Sequence, residues 1–270
     1  MKSAHMPALL MLAATLACTL SGAPTPSATP EAPTATTAPS DTPAPSPTPE
    51  LPPEVILIVE PGPGSRLITP IHLSGMADTT FEQHLGVRLL LDDGTALAQT
   101  STIIASEMGT RGPFELDLAF SVTGDRQGFI QVFSASPRDG GVTHLASVGV
   151  TLAAAGPVDI RPAEAHPEDI YLQVPTVTTR VEGGIAHVEG YGRASFEQTL
   201  VIEVLDVDGN VVGSMAVLVN APEMGMYGPF SADVPYVVAV EGPGRIVVRD
   251  ISPAFGGDSH RTSVEITLAP

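Results

Sequence analysis

The nonapeptide GMADTTFEQ at residues 75–83 decides the fold, because it returns as GYGRASFEQ at residues 190–198 with its Gly, Phe, Glu and Gln in the same places. An Asp-Gly pair, a Gly-Pro-Phe triplet and a Ser-Pro pair follow each copy in the same order. The first set is Asp93-Gly94, Gly112-Pro113-Phe114 and Ser136-Pro137, and the second is Asp208-Gly209, Gly228-Pro229-Phe230 and Ser252-Pro253. The chain therefore carries a tandem duplication of a unit of about 100 residues, which is an ordinary domain size.

Apolar residues alternate with polar ones through both repeats, which is the pattern of half-buried β-strands. The continuous run Val55–Val59 predicts a buried first strand, and no helical periodicity of useful length follows the N-terminal segment. The predicted inward positions are Leu85, Val87, Leu89, Leu91, Leu116, Leu118, Phe120, Ile130, Val132, Val148, Val150 and Leu152, then Leu172, Val174, Leu200, Ile202, Val204, Ala232, Val234, Tyr236, Ile246, Val248, Val264, Ile266 and Leu268. This pattern predicts an all-β protein with two tandem immunoglobulin-like β-sandwiches.

The domain boundaries follow from the same pattern. The first predicted sandwich spans residues 54–153, the second spans 169–270, and a linker spans 154–168. The linker is rich in Ala and Pro rather than Gly and Ser, so we expect it to be semi-rigid. Turns are predicted at the Asp-Gly pairs, where Gly tolerates positive φ, and at the Gly-Pro-Phe triplets.

Residues 1–18 are predicted to be an export signal. Lys2 supplies a positive charge, and the apolar run 6–17 is too short to cross a bilayer. The stretch Thr15-Leu16-Ala17-Cys18 resembles the lipobox of bacterial lipoproteins, in which the cysteine is lipidated, although Leu stands one place later than in that pattern. We predict a lipid anchor on Cys18 that holds the protein at the cell membrane, facing outside the cytoplasm. The alternative is a secreted protein whose signal is cleaved elsewhere, for example after Ala23.

Residues 19–53 are predicted to be a disordered stalk. Eleven prolines lie between Pro24 and Pro53, interleaved with Thr, Ser and Ala, so the segment has too little apolar surface to fold. A polyproline-like chain rises by ~3 Å per residue, so some thirty residues reach up to ~100 Å. The stalk would hold the folded domains away from the membrane.

Composition and charge exclude several classes of function. The formal net charge is −18, and eleven of the 12 basic residues are scattered Arg, so there is no basic stripe for nucleic acid. The sequence has no Gly-x-Ser-x-Gly elbow, and its one cysteine lies at the processing site, so neither a serine nor a cysteine nucleophile is predicted. We predict no enzyme activity, no catalytic residue and no cofactor.

The order of the motifs resembles the immunoglobulin-like domain of bacterial spore germination proteins. Besides the motifs above, the resemblance rests on Val59–Gly64, Leu73–Ala77 and Phe81-Glu82 in the first copy, and on Val188–Ala194 and Phe196-Glu197 in the second. The start of the second copy, Val181–Gly184, departs from the family pattern. The resemblance implies a cell-envelope β-sandwich, often carried on lipoproteins, with a binding or assembly role and no established enzyme activity. The germination module that often accompanies such domains is not visible in the sequence, so a sporulation role does not carry over.

Two hallmarks of antibody-type domains are missing from the sequence. The chain has no Trp, and Cys18 has no second cysteine with which to pair. The buried Trp and the inter-sheet disulfide of those domains are therefore absent. We predict that each core rests on aliphatic side chains with a few Phe and Tyr.

Two histidine positions recur in the repeats, His72 with His187 and His144 with His260. Two histidines together with carboxylates can hold a divalent ion. We favour a structural interpretation, with His72 and His187 on alternating strands and the other two in loops, so no metal site is predicted. Asp206–Asn210 is predicted to be a hairpin turn rather than a calcium loop, because it lacks the third acidic position and the distal Glu.

A Glu-Met-Gly triplet recurs shortly before each Gly-Pro-Phe triplet. Met108 lies in the first copy and Met224 in the second, which continues with Met226 and Tyr227. Met and Tyr on a loop make an adaptable apolar contact surface, which is one interpretation. The other, which we favour, is that each Met plugs the end of its own sandwich.

The repeated Phe-Glu-Gln motif also has two interpretations. In the first, Glu82 and Glu197 contact a ligand at equivalent ends of the two sandwiches. In the second, which we favour, Phe81 and Phe196 anchor a loop into the core while the Glu carboxylate accepts backbone N–H bonds from that loop.

We predict a non-enzymatic envelope lipoprotein that presents its two modules for protein–protein adhesion or assembly. Its predicted partners are the membrane and other envelope proteins. The alternative is a solute- or glycan-binding protein that uses sandwich-end loops or the interdomain cleft, although an aromatic content of 4% with no Trp argues against stacking on sugars. The candidate binding residues are Glu82, Glu197, Met108, Met224, Met226 and Tyr227.

Overall fold

β-Strands make up nearly all the regular structure of the computed structural model, which describes residues 50–270. The signal segment, Cys18 and most of the stalk lie outside the described residues. The strands of the first repeat are β1 Ile56–Glu60, β2 Arg66–Leu67, β3 Ile71–Ala77, β4 His84–Leu91, β5 Ala96–Ile103, β6 Gly112–Leu118, β7 Arg126–Ala135 and β8 Val142–Leu152. Those of the second are β9 Ile170–Val174, β10 Arg180–Val181, β11 Ile185–Gly192, β12 Thr199–Leu205, β13 Val211–Leu218, β14 Gly228–Pro235, β15 Gly242–Ile251 and β16 Asp258–Leu268. A 3-10 turn spans Phe81–Gln83.

Each repeat folds as a two-sheet sandwich, which confirms the predicted all-β class. In the first repeat a three-stranded sheet in the order β1-β3-β6 packs on a larger sheet in the order β8-β7-β4-β5. The second repeat has the same arrangement, with β9-β11-β14 packed on β16-β15-β12-β13. The short strands β2 and β10 pair in parallel with the ends of β8 and β16.

The core of each sandwich is aliphatic, as the alternation predicts. Leu85, Val87 and Leu89 of β4 are fully buried. Their counterparts Leu200, Ile202 and Val204 of β12 are fully buried in the other domain. A few aromatic rings complete the two clusters, namely Phe114 and Phe120 in the first and Phe230 and Tyr236 in the second.

The Gly-Pro-Phe triplets begin strands β6 and β14, so their prediction as turns is wrong. Gly75 of β3 lies directly opposite Phe114, and Gly190 of β11 lies opposite Phe230. A Cβ on Gly190 would lie 2.5 Å from Cζ of Phe230, because the aromatic ring covers the glycine. The repeated Gly and the repeated Phe are therefore one packing unit across two strands.

The Asp-Gly hairpin turns are present as predicted. Gly94 and Gly209 both have a φ of 80°, which favours glycine. In the second turn the backbone N–H groups of Asp208 and Asn210 donate to Oδ1 of Asp206, at 3.0 and 2.9 Å. The acidic residues of this segment thus close a β-hairpin turn.

The two sandwiches share one sheet, because β8 pairs antiparallel with β16. Leu145 lies opposite Arg261, and Ala146 lies opposite His260. Since β8 and β16 are equivalent strands of the two repeats, their antiparallel pairing relates the domains by an approximate twofold rotation. Residues Pro49–Pro270 accordingly form one compact unit.

The linker between the repeats is hydrogen-bonded along the first sandwich. The N–H of Ala163 donates to the carbonyl of Val59 at 2.8 Å, and Arg66 exchanges backbone hydrogen bonds with Asp159. These bonds satisfy backbone groups of a Pro-rich segment that cannot form regular structure. They hold the linker against its domain up to the point where the second sandwich begins.

Candidate functional site at the domain junction

Two equivalent segments run antiparallel past each other at the junction, one just before β1 and the other just before β9. The N–H of Glu54 donates to the carbonyl of His166 at 3.2 Å, and the N–H of Glu168 donates to that of Pro52 at 2.8 Å. Pro53 and Pro167 form a β-bridge between the segments. The crossing places the two glutamates beside each other, near the twofold axis.

Glu54 and Glu168 meet His144 of β8 and His260 of β16, and we call these four residues the junction cluster. All four side chains are buried. Oε1 of Glu54 lies 3.2 Å from Nε2 of His144 and 3.1 Å from Nε2 of His260. Oε1 of Glu168 lies 3.6 and 3.5 Å from the same two nitrogens. Each domain therefore contributes one carboxylate and one imidazole.

The second oxygen of each carboxylate is held by a backbone amide of the other segment. Oε2 of Glu54 accepts a hydrogen bond from the N–H of Asp169 at 3.0 Å. Oε2 of Glu168 accepts one from the N–H of Val55 at 2.8 Å. This exchange orients both Oε1 atoms toward the histidines. Within residues 50–270, Oε1 of Glu168 and Nδ1 of His260 are buried without a hydrogen-bond partner.

Burial acts to raise the pKa of both carboxyl groups, whereas the two histidines act to lower it. For Glu54 the charge of His260 and hydrogen bonds from both imidazoles prevail, so its pKa lies well below the ordinary 4.5. For Glu168 burial prevails and its pKa is raised. Burial acts to lower the pKa of His260, but the Glu54 carboxylate raises it to about 9. At neutral pH Glu54 is thus an anion and His260 a cation.

The structure corrects the placement of one histidine pair. His144 and His260 lie inside strands and are buried, rather than in loops. His72 and His187 lie on strands, as predicted, and face solvent with Asp117 and Asp233 at 2.9 and 2.7 Å. Sequence reasoning missed Glu54 and Glu168 altogether. The available signal was the Pro-Glu pair that precedes the first strand of each repeat.

On the opposite face of the shared sheet, the loop after each Ser-Pro pair contacts the other domain. The first loop sends Asp139 to Arg245 of β15, where the guanidinium is 1% exposed and both carboxylate oxygens lie at 3.0 Å. The second loop sends Phe255 to Phe129 of β7, with ring centroids 4.2 Å apart. The two contacts occupy equivalent positions in the two repeats. One of them is an ion pair and the other is an aromatic pair.

The Phe-Glu-Gln loops are structural, but their anchor is the glutamine. Phe81 is 57% exposed and Phe196 is 47% exposed, so the prediction that they anchor the loops in the core is wrong. Gln83 is buried, and its side-chain amide donates to Oγ of Ser106 at 2.9 Å and to the carbonyl of Glu107 at 3.2 Å. Gln198 donates in the same way to the carbonyl of Ala221. An amide suits this position, because it both donates and accepts hydrogen bonds.

The glutamates of these loops, Glu82 and Glu197, are exposed and adopt left-handed backbone conformations, with φ of 55° and 49°. The prediction that their carboxylates accept loop N–H bonds is therefore wrong. In the first copy the side-chain oxygen of the neighbouring Gln83 accepts such a bond, from the N–H of Thr80. Nothing buries these two side chains, so both remain candidates for contact with a ligand.

The Glu-Met-Gly loops leave their methionines in solvent, so the favoured prediction of a plug is wrong. Met108 is 76% exposed, Met224 is 69% exposed and Met226 is 48% exposed. Tyr227 is half-buried, and its hydroxyl donates to the carbonyl of Pro167 at 2.8 Å. Tyr227 therefore supports the segment that carries Glu168, whereas the three methionines form exposed apolar tips.

The sequence profile described as the immunoglobulin-like domain of bacterial spore germination matches residues 55–141 and 169–257, which together exceed half of the chain. The chain belongs to this family. Its two family domains correspond to the two sandwiches, and the junction cluster lies where they meet. No curated protein matches the chain.

Several solved structures resemble this family member at low identity. Bovine butyrophilin is 12% identical, with 80% of this chain and 99% of that chain covered and a TM-score of 0.23. The Ig1-2 module of the Drosophila receptor protein tyrosine phosphatase DLAR is 12% identical, with 81% and 100% covered and a TM-score of 0.23. Red sea bream transglutaminase is 8% identical with a TM-score of 0.28, and the alignment covers 80% of this chain but 31% of the transglutaminase. Within residues 50–270 no helix is long and apolar enough to span a membrane.

Proposed function

We propose that this chain is a non-enzymatic assembly protein of the cell envelope. A lipid on Cys18 anchors it, the Pro-rich stalk extends from the membrane, and the two immunoglobulin-like domains contact other envelope proteins. Immunoglobulin-like domains are typical of adhesion and assembly modules, and the family match supports the placement of both domains in that class.

The observation that carries the proposal is the rigid junction between the domains. Linked domains move relative to each other unless their interface is large or specifically bonded. Here a strand pair, the crossing segments and two reciprocal loop contacts all join the same two bodies. A rigid pair presents two equivalent surfaces at a constant separation and angle, which favours binding because little conformational entropy is lost.

The exposed methionines are the best candidates for the contact surface. Met108 and Met224 occupy equivalent loops, and each loop is bonded to a Phe-Glu-Gln loop that exposes a phenylalanine. Flexible Met side chains, together with an exposed aromatic ring on the bonded loop, fit apolar partner surfaces of varied shape. Because the two domains are related by an approximate twofold rotation, the Met108 and Met224 loops would contact two equivalent patches of a partner.

The interdomain cleft gives little support to the alternative of a solute-binding protein. The cleft has a volume of about 100 Å³ and is lined by Glu54, His260, Asp169 and Arg193 among others. Sites for small organic ligands usually enclose roughly 300–1,000 Å³. A cleft of this size suits an ion or a few water molecules better than a sugar.

Photo-crosslinking in intact cells tests the proposal. A photoreactive amino acid would replace Met108 or Met224 in the full chain, and Glu164 in the exposed linker would serve as the matched control. We expect both methionine positions to form adducts with the same envelope protein and the control position to form none. Absence of protein adducts at both positions, or equal yield from the control, would contradict a role in assembly through these loops.

A further inference from the structure

We propose that the junction cluster is a structural binding site for a divalent transition-metal ion, with Zn²⁺ as the best fit. Its ligands are Oε1 of Glu54, Nε2 of His144, Oε1 of Glu168 and Nε2 of His260. This inference is independent of the proposed function, because it concerns how the two domains are joined rather than what they bind.

The spacing of the four atoms fits the coordination shell of a single ion. All four lie within 4.8 Å of one another. The four distances between a carboxylate oxygen and an imidazole nitrogen are 3.2, 3.6, 3.1 and 3.5 Å. Ligands bound to zinc at about 2.0–2.1 Å in a tetrahedron are separated from each other by about 3.3–3.4 Å. An ion at the centre would replace the His–Glu contacts without a large movement of any side chain.

An unpartnered buried oxygen points independently to a ligand. Glu168 is 3% exposed, and its Oε1 has no hydrogen-bond partner among the residues that the structure describes. A buried carboxylate oxygen that accepts no hydrogen bond is costly, and the imidazole nitrogens at 3.5 and 3.6 Å do not donate one to it. The same oxygen faces the two imidazole nitrogens, so a cation between them would satisfy it. Geometry and an unsatisfied acceptor thus identify the same point.

Charge and the outer contacts also fit a cation. Two carboxylates balance the charge of a divalent ion, so the buried site would be neutral with both imidazoles uncharged. The Oε2 atoms are held by the amides of Asp169 and Val55, which is the kind of outer hydrogen bond that orients metal ligands. On the imidazole side this outer support is incomplete, because Nδ1 of His260 has no acceptor within residues 50–270.

The ligand set selects the class of metal. Imidazole nitrogen favours Zn²⁺ and its transition-metal neighbours over Mg²⁺ and Ca²⁺, which prefer oxygen. Four protein ligands leave no open position, which is typical of structural rather than catalytic zinc. The cleft beside Glu54 and His260 is lined by the partly exposed Asp169 and Arg193, so it supplies a route for the ion from solvent.

Metal binding and spectroscopy on the full chain test the inference. The purified protein would be stripped with a chelator and titrated with Zn²⁺ by calorimetry, and separately with Co²⁺ by visible absorption. We expect one Zn²⁺ per chain, a higher unfolding temperature with Zn²⁺, and the intense visible bands of tetrahedral Co²⁺. No zinc binding, or the weak spectrum of octahedral Co²⁺, would overturn the proposal even if every variant failed to fold.

Two substitutions locate the site. Glu168→Gln keeps the size of the side chain and the bond from Val55 but removes a charged ligand, so we expect zinc affinity to fall by more than ~100-fold. His187→Ala is the matched control, because this repeated histidine is exposed on the outer face of β11 and also lies beside carboxylates. Unchanged affinity in Glu168→Gln, or an equal loss in His187→Ala, would show that the ion binds elsewhere.

Discussion

The imidazole rings of His144 and His260 meet edge to face, with their centroids 5.1 Å apart and their planes at 88°. Both lie on the same face of the β8–β16 pair, on either side of the twofold axis, because His260 is opposite Ala146 and His144 is two residues before Ala146. Neither sandwich can form this contact alone. The two domains therefore fold into a single unit whose junction cluster depends on both of them.

The ion pair between Asp139 and Arg245 should contribute measurably to stability. Asp139→Asn leaves the buried guanidinium with Glu265 as its remaining carboxylate partner, so we expect the free energy of unfolding to fall by about 1–3 kcal/mol. Urea denaturation at pH 7 measures this. Asp125→Asn is the control, because it removes the exposed partner of Arg66 and should cost less than about 0.5 kcal/mol. Equal effects of the two substitutions would contradict the role of burial.

The same carboxylate makes stability depend on pH. Burial acts to raise the pKa of Asp139, but the N–H of Gly141 and the guanidinium groups of Arg245 and Arg138 lower it from 3.8 to about 2. A carboxylate with a lowered folded-state pKa stabilises the fold above the unfolded pKa and loses that effect as the pH falls through the folded pKa. The stability difference between the wild type and Asp139→Asn should thus be constant near neutral pH and shrink between about pH 4 and pH 2. A difference that is unchanged at pH 2 would be inconsistent with this interaction.

The glycine beneath each core phenylalanine should not tolerate a side chain. A Cβ on Gly190 would overlap the carbonyl oxygen of Tyr171 and press on Phe230, so Gly190→Ala should lower the free energy of unfolding by about 1–3 kcal/mol. Gly242→Ala is the control, because a Cβ there meets no heavy atom within 4 Å. The control should be neutral or slightly stabilising. Thermal unfolding of the two variants in parallel is sufficient, and a neutral Gly190→Ala would refute the close approach.

Gln83 and Phe81 should differ in their contribution to the loop at the end of the first sandwich. Gln83→Ala removes the hydrogen bonds by which a buried side chain joins its own loop to Ser106 and Glu107 of the next one, so we expect a loss of about 1–3 kcal/mol. Phe81→Ala changes an exposed ring and should cost less than about 0.5 kcal/mol. Hydrogen exchange of the amides in residues 104–111 would report the same difference locally. A larger loss of stability in Phe81→Ala than in Gln83→Ala would show that the phenylalanine anchors the loop.

The proposed lipid anchor depends on a single sulfur atom, that of Cys18. If Cys18 is lipidated, Cys18→Ala should abolish incorporation of a labelled fatty acid and release the protein from the membrane fraction. Cys18→Ser is a closer match in size and should behave in the same way, since a hydroxyl does not replace the thiol in this modification. Label retained by either variant would rule out lipidation at this residue.

Local sequence patterns determined the sandwiches themselves. Leu85, Val87 and Leu89 alternate with residues of the outer face, and this period of two is sufficient to predict a half-buried strand because successive side chains of a strand point to opposite faces. The Asp-Gly turns were equally predictable, since Gly209 supplies the positive φ that such hairpins require. The repeat of residues 75–83 at 190–198 then predicted two domains rather than one.

Exposure at the loop tips was not determined locally. Met108 and Phe81 are apolar, and nothing in their neighbours shows whether a core has room for them. The structure leaves both in solvent, and the buried Gln83 rather than either of them bonds the two loops together. Likewise, Gly112-Pro113-Phe114 has the composition of a turn, yet it lies in an edge strand, where the missing N–H of Pro is tolerated.

The junction was decided by tertiary structure alone. The repeat of residues 75–83 at 190–198 is visible in the sequence, but the antiparallel pairing of β8 with β16 depends on contacts between residues more than a hundred positions apart. That pairing carries His144 and His260 to one point, and the crossing segments bring Glu54 and Glu168 to the same place. A sequence shows that such residues recur, whereas only the docking of two folded domains determines that they meet, because no local pattern encodes the surface by which one sandwich pairs with its copy.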